Sequence, residues 1–266
     1  MDLKYREDVA KYGKKDAVVA ILFYVLCVSA MAVGAIAGRW LGFPMLVSWL
    51  GLATGLACIV LVLVRKENLS SIGFGKEKIK SSLLLGFICG LVSIVMLCLV
   101  PLINNGEFAP LSNIAYMLVY QLVLIAFADE VIFRGYLQTR LYGIVKSDAS
   151  AILLGALLFS LMHFLTWIIL VGTETFFSIS TWPVFLFWFS MHIIYNFVYK
   201  RSGVLYGIIL FHSLLNTAPS IITNRNHLIF GIEYIYFTIV AIPVLVAIVL
   251  FSLEIRMSRS GRCGDK

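Results

Sequence analysis

Long apolar stretches alternate with short polar ones along the whole chain. A stretch of about 18 or more apolar residues with few charges reads as a membrane-spanning helix. Eight such stretches fit, at 17–38, 43–64, 82–104, 113–140, 149–170, 182–199, 203–222 and 229–252. The fourth is long and ends in charged residues, so only its first part is lipid-like. The pattern predicts an all-α fold: a polytopic transmembrane helical bundle that forms one integral-membrane domain over 1–266. No repeat, low-complexity tract or soluble domain interrupts it. The longest loop on the side of the N-terminus, Arg65 to Lys80, contains Ile72-Gly73-Phe74-Gly75 and reads as a turn between the second and third spans.

Composition strengthens this reading. Hydrophobic residues make up 61% of the chain and charged residues 13%, against about 45–50% and about 25% in soluble domains. The first fifteen residues are rich in Lys, Asp and Glu, and no small-residue cleavage site follows the first apolar block, so that block is expected to stay as a helix.

The net charge of +7 invites a nucleic-acid reading, but the basic residues flank the apolar blocks in short clusters. If the N-terminus is cytoplasmic, nineteen basic residues fall inside and only Arg39 and Arg225 outside. That bias is the signature of membrane topology. It implies both termini in the cytoplasm, the bilayer as the surrounding medium and no nucleic-acid partner. Cys27, Cys58, Cys89 and Cys98 lie in apolar blocks as small hydrophobes. The tail after Cys263 is not the aliphatic one a prenylation signal needs.

Polar groups inside spans are costly and mark candidate function. The fourth span carries Asp129, Glu130 and Arg134. Glu130 and Arg134 are i,i+4 on one helix face and can pair, which leaves Asp129, about 100° around the helix, to act separately. The fifth span carries His163, and the seventh His212 and Asn216 at i,i+4. Measured from the cytoplasmic end of each span, Asp129 lies about 16 Å deep, His163 about 21 Å and His212 about 14 Å. Three independent spans thus place their polar residues in one layer. His192 and Asn196 of the sixth span have the same i,i+4 spacing at about 10 Å depth, and spacing alone does not separate the two pairs. His227 reads as a solvated loop residue.

The chain resembles the CAAX-protease and bacteriocin-processing family of intramembrane proteases, often called the Abi family. Its hallmarks are Glu-Glu-x-x-x-Arg, Phe-x-x-x-His and His-x-x-x-Asn or Asp, in that order on separate helices. Here they correspond to Asp129-Glu130-x-x-x-Arg134, Phe159-x-x-x-His163 and His212-x-x-x-Asn216. Ser202-Gly203-Val204-Leu205 resembles the family's lead-in to the last motif, which favours His212 over His192. The resemblance covers about 110–220, a protease-like core.

It implies an intramembrane endopeptidase acting on a membrane-associated peptide or protein, of CAAX-processing or bacteriocin- or pheromone-processing type, or serving self-immunity. The expected location is a bacterial cell membrane. Asp129 would be the general base with His163 beside it, His212 and Asn216 would stabilise the oxyanion, and Arg134 would hold Glu130. One departure stands out: the first acid of the family is usually Glu and here it is Asp129, one methylene shorter. An offset of about 1 Å can cost about a hundredfold in rate. The alternatives are therefore a slower protease, one that uses Glu130, and a member that no longer cleaves and regulates a membrane partner. An ion- or proton-coupled transporter is a further rival. No cofactor is favoured. A zinc site of Glu130, His163 and His212 is the metal alternative.

Overall fold

The computed structural model describes residues 9–103, 105–172, 181–223 and 240–263. Among them are eight long helices: α1 (Lys14–Trp40), α2 (Leu46–Val64), α3 (Ile79–Ile103), α4 (Leu111–Val145), α5 (Asp148–Val171), α6 (Thr181–Ser202), α7 (Tyr206–Thr217) and α8 (Ile242–Cys263). The all-α polytopic bundle expected from the apolar pattern is the observed architecture. A two-stranded ribbon joins Glu107–Phe108 (β1) to Ile222–Thr223 (β2), antiparallel, beyond the ends of α3 and α7.

The helices present apolar side chains outward, as helices bathed in lipid do. On α3 the outward residues include Leu84, Phe87, Leu91, Val92 and Val95. Polar and charged groups are instead buried in the middle of the bundle, among them Asp129, Glu130 and Arg134. That inversion follows from lipid being the solvent. Around α4, α1 packs on α2, α3 on α7, α5 on α6 and α6 on α8.

The expected spans and the observed helices coincide from the first to the sixth, with ends a few residues apart. Five helices, α1 to α5, are long and apolar enough to cross a bilayer. The other three fall short for different reasons. His192, Asn196 and Lys200 dilute the apolar run of α6. Helix α7 has 12 residues, about 18 Å at 1.5 Å per residue, because Pro219 tightens the chain into a 3-10 turn at Ala218–Ser220. The expected last span, 229–252, lies outside the described residues up to 239. Its helix then runs on to Cys263, well past the end expected, since hydropathy marks where lipid ends and not where a helix must stop. His227 also lies outside the described residues.

Two connections set the register of the site. Lys146, in the left-handed region at φ 50°, ends α4. Ser147 then caps α5 by accepting a hydrogen bond from the Ser150 amide at 3.4 Å. The chain reverses within two residues, which puts Asp129 and His163 at nearly equal heights on antiparallel neighbours. After α6, Gly203 takes φ 71°, a conformation that suits glycine. The Leu205 amide donates to the Gly73 carbonyl at 2.9 Å. This docks the Arg65–Lys80 loop against the start of α7.

Candidate active site

Helix α4 is not uniform. Phe127–Glu130 is a single α-turn set between two wide π-helical stretches, Gln121–Ala126 and Val131–Leu137. Such π-turns are rare and concentrate at functional sites. The two acids sit in the α-turn between them. Ala128 backs onto α2 at Gly55, where an added Cβ would lie 2.9 Å from the Ala128 Cα. Neither helix can slide there without moving Asp129.

The Asp129 carboxylate meets α5. Its Oδ2 lies 3.3 Å from His163 Nε2, and it is 6% exposed. His163 Nδ1 is 3.0 Å from the Phe159 carbonyl. A carbonyl only accepts, so Nδ1 carries a hydrogen. Nε2 and Oδ2 face each other at ion-pair distance without a well-formed hydrogen bond, so Asp129 and His163 make an acid–histidine pair whose carboxylate oxygen is free to accept a proton. The shorter Asp side chain lies 3.3 Å from its histidine. The His163 ring packs at a tilt against Phe159, with centroids 4.2 Å apart, and against Trp188 at 5.4 Å.

Glu130 forms the second pair. Its Oε1 accepts from Arg134 Nη1 at 3.1 Å and from His212 Nδ1 at 2.7 Å. Glu130 and Arg134 are fully buried. The guanidinium lies over the Phe159 ring at 4.3 Å and the Tyr195 ring at 4.9 Å, so aromatic faces as well as the carboxylate hold its charge. His212 packs at a tilt against Tyr195, with centroids 5.0 Å apart. Because Nδ1 of His212 is spent on Glu130, Nε2 is the nitrogen left for chemistry.

Asn216 stands apart from this core. It shares a face of α7 with His212, but its Nδ2 donates to Gln121 Oε1 at 3.1 Å. Asn216 and Gln121 lie together on an apolar cavity of about 510 Å³ between α3, α6, α7 and α8. Neither His163 nor His212 lines this cavity.

His192 and Asn196 are buried. His192 Nε2 donates to Gln138 Oε1 at 3.2 Å, and Asn196 Nδ2 donates to the His192 carbonyl at 2.9 Å. His192 packs on Phe159 at 5.4 Å, and its Nε2 hydrogen bond goes to an amide, not to an acid. This is a polar clamp between α6 and α4. It needs Gly155, where a Cβ would fall 2.2 Å from Gln138 Oε1. Gln121 and Gln138, partners of Asn216 and His192, were not anticipated. The only signal they give in sequence is an uncharged amide within an apolar span.

A metal fits this donor set poorly. Among the described residues no three His, Cys, Asp or Glu side chains are grouped to hold an ion. The four donors form two separate acid–histidine pairs, and the Glu130 oxygen is shared with a guanidinium, which repels a cation.

No curated protein matches the chain. Residues 111–218 match a family model described as Rce1-like, type II CAAX prenyl endopeptidase. The matched stretch contains Asp129, Glu130, Arg134, His163, His212 and Asn216 together with the parts of the helices that carry them, so the motif resemblance and the family match coincide over the site, and across 111–218 the chain is similar to the Rce1-like, type II CAAX prenyl endopeptidase family.

Proposed function

We propose that the chain is an intramembrane endopeptidase that hydrolyses a peptide bond of a membrane-associated peptide or protein. The observation that carries this reading is the Asp129–His163 pair set directly beside the Glu130–Arg134–His212 cluster. In the proposed reaction the Asp129–His163 pair takes a proton from water, and the hydroxide adds to the scissile carbonyl carbon. His212, with protons on both ring nitrogens, donates through Nε2 to the developing oxyanion. Asn216 adds a second donor through its remaining Nδ2 hydrogen once substrate enters. When the tetrahedral intermediate collapses, the pair returns its proton to the departing amide nitrogen. Arg134 neutralises Glu130 and fixes His212 through it. No step is routed through a metal.

We further propose eight spans with both termini cytoplasmic, in a bacterial cell membrane. Substrates of CAAX type and leadered bacteriocins or pheromones, including a self-immunity role, fit the same chemistry.

The test is detergent-purified protein incubated with farnesylated C-terminal peptides, their unprenylated counterparts and leader peptides, read by mass spectrometry. Wild type should cleave at least one class, and Asp129→Ala should cleave none. Intact peptides throughout would sink the protease reading.

A second reading is a membrane-embedded regulator that has lost cleavage. It is favoured by the enclosure of the acids: Asp129 is 6% and Glu130 0% exposed, and the 510 Å³ cavity touches neither.

A further inference from the structure

A second cavity, of about 340 Å³, lies at the end of the bundle where α4 and α6 finish and α3 and α7 begin. None of the six site residues lines it. Its walls come from the N-terminal segment, the Arg65–Lys80 loop, Thr139 of α4 and the α6–α7 turn. Lys11, Lys76 and Lys78 line it with one acid, Glu77, and Ser70 and Tyr199 add hydroxyls. Lys11 and Lys76 are exposed. The nearby buried Arg140 adds little field of its own, because Glu67 pairs with it. The excess positive charge is therefore that of the lining lysines.

A concave site with low-dielectric walls focuses such a field. Its volume is at the small end of ligand pockets, and every charged group lining it but one is cationic. Phosphate oxygens only accept, carry the complementary charge and suit lysine and hydroxyl donors. The loop itself, Gly75-Lys76-Glu77-Lys78, is in sequence only a turn. What gives it a binding face is its docking onto the α6–α7 connection through Gly73 and Leu205.

We propose that this cavity binds a phosphate-bearing ligand, either the headgroup of an anionic lipid or a soluble phosphate ester. The site is independent of the protease reading, since none of its lining residues takes part in the proposed chemistry.

The experiment uses the full chain purified in detergent. Native mass spectrometry would compare retention of phosphatidylglycerol with that of phosphatidylcholine. Thermal melting would compare inorganic phosphate and glycerol 3-phosphate with chloride at equal ionic strength. Phosphatidylglycerol should be retained preferentially. In Lys11→Gln/Lys76→Gln its retention should fall by about fivefold for each lysine removed. Lys14→Gln/Lys15→Gln, which changes exposed lysines outside the cavity, should behave as wild type. If the soluble phosphates also raise the melting temperature, the ligand is a free phosphate ester; if only the lipid is retained, it is a headgroup.

On wild type alone, raising salt to about 1 M, where the Debye length is about 3 Å, should strip the lipid. This arm holds even if a variant folds badly. Equal retention of both lipids with no effect of soluble phosphate would overturn the proposal, as would equal losses in the two lysine pairs or salt-resistant binding.

Discussion

At the scale of single residues the site is two acid–histidine pairs held by different logic. Asp129 faces His163 with an oxygen that no hydrogen bond occupies, whereas Glu130 is committed to Arg134 and His212. This division makes the two adjacent acids respond differently to substitution. Asp129→Asn keeps the shape but cannot accept a proton, and should lower cleavage by about a hundredfold or more. Asp129→Glu, the residue usual in the family, should retain activity. Peptide hydrolysis at matched protein amounts checks both; full activity in Asp129→Asn would remove Asp129 from the chemistry. Glu130→Gln should act on stability as well, because it leaves the fully buried Arg134 charge without its carboxylate, a change that costs about 3–5 kcal/mol. A lower melting temperature and lower membrane abundance, alongside lower activity, are the expected readings. The charged residues of the site were legible in sequence because lipid makes each of them expensive. Gln121 and Gln138 were not, because an uncharged amide in an apolar span costs less and has no fixed spacing to its partner on another helix.

At the scale of elements, the position of His212 rests on the contact between α3 and α7. A Cβ on Gly86 would lie 1.9 Å from the Gly207 carbonyl oxygen, and the Gly207 amide donates to Ser82 Oγ at 3.0 Å. Small residues on both helices let the backbones meet, the usual device where lipid offers no hydrophobic drive to associate. Overpacking a core costs about 1–3 kcal/mol, and here the clash is with backbone that cannot rotate away. Gly86→Val should therefore displace α7, lower the melting temperature by more than a truncation such as Leu91→Ala on the lipid-facing side, and reduce cleavage through His212. A Gly86→Val protein with wild-type melting and activity would show that this contact does not position the site. The helix periods and ends of α1 to α6 were legible because long apolar runs carry strong signal. The π-turns flanking Phe127–Glu130 and the shortness of α7 were not. Both depend on how backbone hydrogen bonds close against neighbouring helices, which hydropathy does not record.

At the scale of the whole molecule, the end of the bundle that carries most of the basic residues is tied together by ions rather than apolar packing. Glu67 accepts from Arg65 Nε at 2.8 Å and pairs with Arg140, while Arg65 also pairs with Asp16 at the start of α1. The Tyr12 hydroxyl reaches Glu67 at 3.4 Å, and the Arg140 guanidinium lies over the Tyr12 ring at 4.4 Å. One carboxylate thus links the N-terminal segment, the loop after α2 and the end of α4. Burial alone would raise the Glu67 carboxyl, but the Arg65 and Arg140 guanidiniums outweigh it and hold it below its ordinary value. The direction sets the pH dependence. A group whose folded pKa is depressed stabilises fully above its unfolded value, about 4.3 for Glu. That stabilisation is lost as pH falls through the lower folded value. Glu67→Gln mimics the protonated carboxyl, and every other titrating group is common to both proteins, so their difference isolates this one. If the link contributes about 1 kcal/mol, wild type should melt about 2–4 °C above Glu67→Gln near pH 7. The gap should narrow below about pH 4 and close as Glu67 takes up its proton. Melting curves of both proteins in detergent across that range decide it. A gap that stays constant down to acid pH would mean that Glu67 supports the fold through its shape and not its charge.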